Sequence, residues 1–216
     1  MAVQSSPAQT PDPDCQLCPR LAAHRAKLRA REPGWFNAPV PSFGTDQGWL
    51  AIVGLAPGER GANRTGRPFT GDFAGDLLYG TLLETGLASG TYAGTPDDGL
   101  TLNDTLIVNA VRCLPPANKP EPSEIHQCRP FLVSQLKSMP NLRVVLALGQ
   151  IAHQSAVKAL GGKLPKHPFA HAAVHRLHTG YTLVDSYHCS RYNQNTGRLT
   201  AEMFRTAVDA ALAARP

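Results

Sequence analysis

Trp49-Leu50-Ala51-Ile52-Val53, running directly into Gly54-Leu55-Ala56-Pro57-Gly58, is the stretch whose reading decides the fold. An unbroken apolar run ending in two β-branched residues leaves no polar face for water, so it reads as a strand covered on both sides. The glycine- and proline-laden loop behind it ends the strand. The same pattern recurs at residues 105–111, 143–148 and 181–186. Between these runs the spacing turns helical. Residues 74–87 put Leu77, Leu78, Leu82 and Leu83 on one side with Gly86 as a stop, and residues 123–136 open on a Ser or Glu cap after two prolines. Residues 150–160 and 200–214 complete the set, the last with Thr200 as its N-cap. Strand alternating with helix predicts an α/β fold with a largely parallel sheet of four strands and right-handed crossovers. One domain, residues 15–216, is expected after a flexible tail, residues 1–14, that is rich in Pro, Ser and Gln.

Composition narrows the function classes. With 42% hydrophobic and 17% charged residues, the 216-residue chain is no disordered polyelectrolyte. No apolar run approaches the roughly 18–20 residues a membrane span needs. The first residues hold neither a basic n-region nor an apolar h-region, so a cytoplasmic protein with reduced thiols is expected. A net charge of +5 suits a surface that meets a polyanion, and equally a merely soluble one. The 19 Gly and 19 Pro point to many functional loops.

In a parallel α/β sheet, ligands sit beyond the carboxyl ends of the strands. Three loops meet that condition: Gly54 to Gly58, Cys113 to Lys119, and His188 to Asn193. Glycines at 54, 58, 61, 66 and 71 let backbone N–H groups of the first loop approach an anion. The loop is neither a Walker A sequence nor G-x-G-x-x-G. Cys15 and Cys18 form a C-x-x-C, and Cys113 and Cys128 are a wider pair. Cys189 stands alone. Four such thiolates fit an iron–sulfur cluster or tetrahedral zinc, and four inert core thiols fit the spacing as well.

Four segments, CQLCPRL, GLAPGERGANRTGRPFTGD, VRCLPPANKPEPSE and SYHCSRYNQNTGRLT, resemble the uracil-DNA glycosylases, most closely the family 5 (type B) branch. They occur in the family's order and span nearly the whole chain. The resemblance implies a three-layer α/β/α fold about a four-stranded parallel sheet. It also implies a structural [4Fe–4S] cluster on Cys15, Cys18, Cys113 and Cys128, which leaves Cys189 a bystander. The implied activity is hydrolysis of the N-glycosidic bond of uracil in DNA, leaving an abasic site. Phe69 matches the aromatic that stacks on the extruded base, and His188 the group that hydrogen-bonds the departing base. Asp72 matches the carboxylate that steadies the sugar cation or positions water; its position also suits a helix N-cap, and Asp76 is the fallback. Asn118 matches a second-loop asparagine implicated in catalysis or positioning. Asn109 matches an amide that reads the base edge. Gly54 and Ala56 lie in the first motif. Gly58 replaces a bulky tyrosine, implying tolerance of hypoxanthine, modified pyrimidines and mispaired thymine.

The partner implied is damaged DNA, double-stranded with single strands left open, bound by a monomer. Arg60, Arg64, Arg67, Lys119, Ser190, Arg191 and Arg198 are the candidates for its phosphates, and Tyr192 or Gln194 for filling the gap in the duplex. Two rival classes are a cluster-bearing redox protein and a zinc-stabilised nucleic-acid-binding module without chemistry.

Overall fold

The computed structural model describes residues 7–215. The first half of the chain forms α1 (Pro19–Arg31), β1 (Phe43–Gly44), β2 (Leu50–Gly54), α2 (Ala62–Thr65), α3 (Phe73–Glu84), β3 (Ala88–Ser89), β4 (Thr101–Leu102) and β5 (Thr105–Asn109). The second half forms α4 (Pro122–Ser138), β6 (Val144–Leu148), α5 (Gln150–Ala159), β7 (Val174–Arg176), β8 (Thr182–Ser186), α6 (Arg191–Asn195) and α7 (Ala201–Ala213).

The main sheet has the order β1-β5-β2-β6-β8-β7. Its four central strands are the four apolar runs, paired in parallel throughout. The sheet has six strands rather than the expected four, because β1 and β7 add antiparallel edges. These edges are two and three residues long and partly exposed. They carry no apolar run, so nothing in their composition distinguishes them from loop. β3 and β4 pair as a separate small hairpin.

Alternation along each central strand divides the core. Leu50 and Ile52 of β2 join Val144 and Leu146 of β6 on one face, under Leu78 and Leu82 of α3 and Phe204 and Val208 of α7. Ala51, Val53, Val145 and Ala147 point to the other face, under Leu132 and Leu136 of α4 and Ala152 and Ala156 of α5. Three layers result. Helix ends follow local chemistry: Thr200 Oγ1 accepts from Met203 N at 3.1 Å to open α7, and Gly86 takes φ +73° just beyond α3. The cap of α4 is Glu121, one residue before Pro122, in a reciprocal box with Glu124. Helix α1 lies outside the four expected helices, although Pro19 at its start and buried Leu21, Ala22, Arg25 and Leu28 give it an amphipathic signature.

Of the stretch read as a flexible tail, residues 1–6 lie outside the described residues. Residues 9–14 are tied to the domain: Gln9 N donates to Ser134 Oγ at 2.8 Å, Arg29 Nη2 donates to the Pro13 carbonyl at 3.0 Å, and Arg29 also pairs with Asp14. No helix among the described residues is long and apolar enough to cross a membrane.

Candidate active site

The carboxyl ends of β2, β5 and β8 open onto one cavity of about 770 Å³, and all three predicted loops reach it. Its lining includes Ala56, Gly58, Arg60, Phe69, Asp72, Asn109, Asn118, His188, Ser190 and Arg191. Residues separated by more than a hundred positions converge there because parallel strands deliver every following loop to the same sheet edge.

Phe69 sits on a loop held in an uncommon conformation, with φ +53°. The loop is pinned at several points. Tyr79 Oη donates to the Pro68 carbonyl at 2.5 Å, Tyr92 Oη donates to the Phe69 carbonyl at 3.2 Å, and Arg67 Nε donates to Thr70 Oγ1 at 2.7 Å. The Phe69 ring faces the His188 ring with 6.0 Å between centroids. Gly54 lets the two walls close up: a Cβ there would stand 2.4 Å from Asn109 Oδ1 and 2.8 Å from Phe69 Cζ. Asn109 Oδ1 is buried without a hydrogen-bond partner among the described residues. A buried amide oxygen left unpaired in a cavity wall is a ready acceptor for a ligand donor.

Asp72 is both an N-cap and a cavity residue. Its Oδ1 accepts from Ala74 N at 3.1 Å and Gly75 N at 3.2 Å, opening α3. Its Oδ2 lies over Gly61, where a Cβ would come within 2.2 Å of it. Burial raises the carboxyl above its ordinary pKa, opposed by the two backbone hydrogen bonds. Asp76, one turn on, is exposed and does not line the cavity. Burial also pushes the His188 imidazole down to about 4, so it is neutral at physiological pH. Asn193 Nδ2 donates to the His188 carbonyl at 2.8 Å and fixes this turn. Asn118 is exposed at φ +56° on the cavity rim.

One predicted phosphate contact is corrected. Arg67 is buried, not at the surface, and its guanidinium forms a two-pronged pair with Asp98 at 2.8 Å per bond. The rings of Phe43, Tyr79 and Tyr92 surround it at 5.0–5.9 Å. Arg67 therefore braces the Phe69 loop. Arg60, Arg64, Lys119, Arg191 and Arg198 are exposed. Ser190 caps α6, its Oγ accepting from Asn193 N at 3.4 Å. Arg191 lies 5.0 Å over the ring of Phe73, a half-exposed aromatic at the cavity that the sequence reading passed over. Its signal was its place directly after Asp72. Tyr192 is 71% exposed, whereas Gln194 is tied back by donating to the Cys189 carbonyl at 2.7 Å.

Cys15, Cys18, Cys113 and Cys128 line one small, mostly apolar cavity between α1, α4 and the loop after β5. Cys128 Sγ accepts from Arg112 N at 3.4 Å, and Cys113 Sγ accepts from Arg25 Nη1 at 3.7 Å. Donors aimed at sulfur suit thiolates, so this donor set fits a sulfur-ligated metal group. Ala56 packs on the same cluster and also lines the 770 Å³ cavity, joining the two. Cys189 is separate and wholly buried in the main core.

A profile described as the uracil DNA glycosylase superfamily matches residues 41–212, which takes in the whole sheet and the cavity. The chain belongs to the uracil DNA glycosylase superfamily. It is 45% identical over 196 residues to a type-5 uracil-DNA glycosylase of Thermus thermophilus, covering 88% of this chain and 89% of the relative. A Mycobacterium tuberculosis type-5 uracil-DNA glycosylase is 40% identical over 88% of this chain and 74% of its own length. One from Pyrobaculum aerophilum is 37% identical over 91% and 89%. For a superfamily member, the convergence of Phe69, Asp72, Asn109 and His188 on one cavity makes that cavity the place to seek its chemistry.

Proposed function

We propose that the cavity takes up a nucleobase turned out of DNA and cleaves its N-glycosidic bond. The chain is a DNA-repair uracil-DNA glycosylase, as its type-5 relatives are named. One observation carries the mechanism: the neutral His188 imidazole and the Asp72 carboxylate face the same hollow, flanked by Phe69 and the unpaired Asn109 Oδ1. Phe69 stacks on the extruded base, and Asn109 reads its edge through the oxygen that lacks a partner among the described residues. As the bond breaks, negative charge grows on the base carbonyl and positive charge on the sugar. A ring N–H of His188 donates to the carbonyl, and Asp72 steadies the deoxyribosyl cation and orients the attacking water. Asn118 positions the sugar from the rim.

Gly58 leaves room beside the base, since a Cβ there meets only Asp72 Oδ2, at 3.0 Å. Hypoxanthine, modified pyrimidines and mispaired thymine are therefore further substrates. The four cysteines hold a [4Fe–4S] cluster, which when bound supplies a structural cross-link between α1, α4 and the loop after β5. The substrate is double-stranded DNA, gripped by Arg60, Arg64, Lys119, Ser190, Arg191 and Arg198, and the enzyme acts as a monomer in the cytoplasm. The test is incubation with uracil-, hypoxanthine- and thymine-mismatch duplexes in chelator, followed by alkali. Wild type cuts all three, and His188→Ala loses about 100- to 1,000-fold in rate, as for one removed charge-stabilising donor. Full activity in both His188→Ala and Asp72→Asn discards the assigned chemistry. Cutting only at uracil discards the wider range.

A further inference from the structure

Behind the catalytic cavity, α5, β7 and β8 bring together His153, His175 and Asp185, none of which lines that cavity. His153 Nδ1 lies 2.7 Å from Asp185 Oδ1, and His175 Nε2 lies 3.0 Å from Asp185 Oδ2. The three ligand atoms fall within 4.8 Å of one another. His153 and Asp185 are fully buried, while His175 is 11% exposed and gives access from solvent.

The tautomer of His153 decides what this cluster can do. Its Nε2 lies 2.9 Å from the His167 carbonyl oxygen, which can only accept, so Nε2 carries a proton. In a neutral ring the Nδ1 lone pair then points at a carboxylate oxygen, acceptor against acceptor. Either a second ring proton or a cation between them removes the conflict, and the second imidazole on the same carboxylate favours the cation. A ligating histidine that donates its other N–H to a backbone carbonyl is the usual arrangement around a metal. Two imidazoles and one carboxylate match the donor preference of zinc-class divalent ions. Bonds of about 2.0–2.1 Å in a tetrahedron place ligand atoms roughly 3.3 Å apart, inside the 4.8 Å within which these three lie. The Phe169 ring, 5.6 Å from that of His153, shields the cluster, and the His167 ring lies 5.6 Å from that of His175.

The geometry points to a second metal site, a zinc-class divalent cation held by His153 Nδ1, His175 Nε2 and the Asp185 carboxylate. Its role is structural: it staples β7 to α5 and to β8 at Asp185, three residues before His188. It takes nitrogen and oxygen ligands, which separates it from the cysteines.

The test uses untagged, full-length protein incubated with zinc chloride and freed of loose metal by gel filtration. Elemental analysis counts the retained zinc, and X-ray absorption at the zinc edge separates ligands at about 2.0–2.1 Å (N/O) from those at about 2.3 Å (S). Wild type is expected to keep one N/O-ligated zinc per chain and to melt at a higher temperature with it. His175→Gln and Asp185→Asn are expected to lose that zinc and that shift. His175 is partly exposed on an edge strand, so His175→Gln decides the matter if Asp185→Asn fails to fold. No retained zinc, zinc bound only by sulfur, or equal N/O-ligated zinc in folded His175→Gln overturns the site and leaves an imidazolium–carboxylate pair.

Discussion

His188 and Asp72 are opposite cases of the same burial. The folded His188 titrates near 4, whereas an unfolded histidine titrates near 6.5. Between those values only the unfolded chain binds the proton, so stability is full above about pH 6.5 and falls as the pH drops toward 4. Urea denaturation at pH 7 and pH 5 is expected to show a larger loss for wild type than for His188→Gln. Asp72 has its carboxyl raised, so it becomes ionised only at a pH above the ordinary aspartate range. If the carboxylate form is the active one, kcat/KM for uracil release rises with pH through that raised value. The same profile measured on Asp72→Asn is expected to lack this acid limb, and an unchanged limb removes Asp72 from the chemistry. The sequence placed both residues beyond strand ends. Their titration depended on burial, which is set by residues distant in the chain.

At the level of elements, the N-cap made by Asp72 and its proposed part in catalysis can be separated by substitution. Asparagine caps a helix about as well as aspartate, whereas alanine loses the cap at about 0.5–2 kcal/mol. Asp72→Asn is therefore expected to keep thermal stability and lose activity, while Asp72→Ala loses both, with calorimetry and base release as the measurements. Arg67 belongs to the architecture of the Phe69 loop. Removing one partner of a buried ion pair typically costs about 3–5 kcal/mol. Arg67→Ala is expected to unfold at markedly lower denaturant, a result a surface phosphate contact would not give. The central strands and four helices were legible because apolar periodicity and caps are local signals. The edges β1 and β7 were not, because two or three half-exposed residues gain their hydrogen bonds from a neighbour that only the folded sheet supplies.

Across the whole molecule, the net charge of +5 and the exposed Arg60 and Arg191 at the cavity support the proposed grip on DNA phosphates. Each phosphate contact contributes about −0.9 to the slope of log K against log salt. Arg60→Ala and Arg191→Ala are each expected to flatten that slope by about this amount in binding titrations, whereas a slope unchanged in both variants places the DNA elsewhere. The same scale explains the cysteine cavity. Spacing left the grouping of Cys15 and Cys18 with Cys113 and Cys128 open and only the family resemblance implied it; the packing of α1 against α4 brings all four to one hollow.

The sequence by itself determined the parallel core, the three loops at its carboxyl edge and the residue types available there, because periodicity, caps and chain direction are properties of neighbours along the chain. Only the tertiary structure decided which groups are buried and with whom: Arg67 turned inward onto Asp98, Asn109 Oδ1 left without a partner among the described residues, and His153 and His175 gathered on Asp185. Desolvation and pairing act through space between residues far apart in the chain, and no local pattern records them.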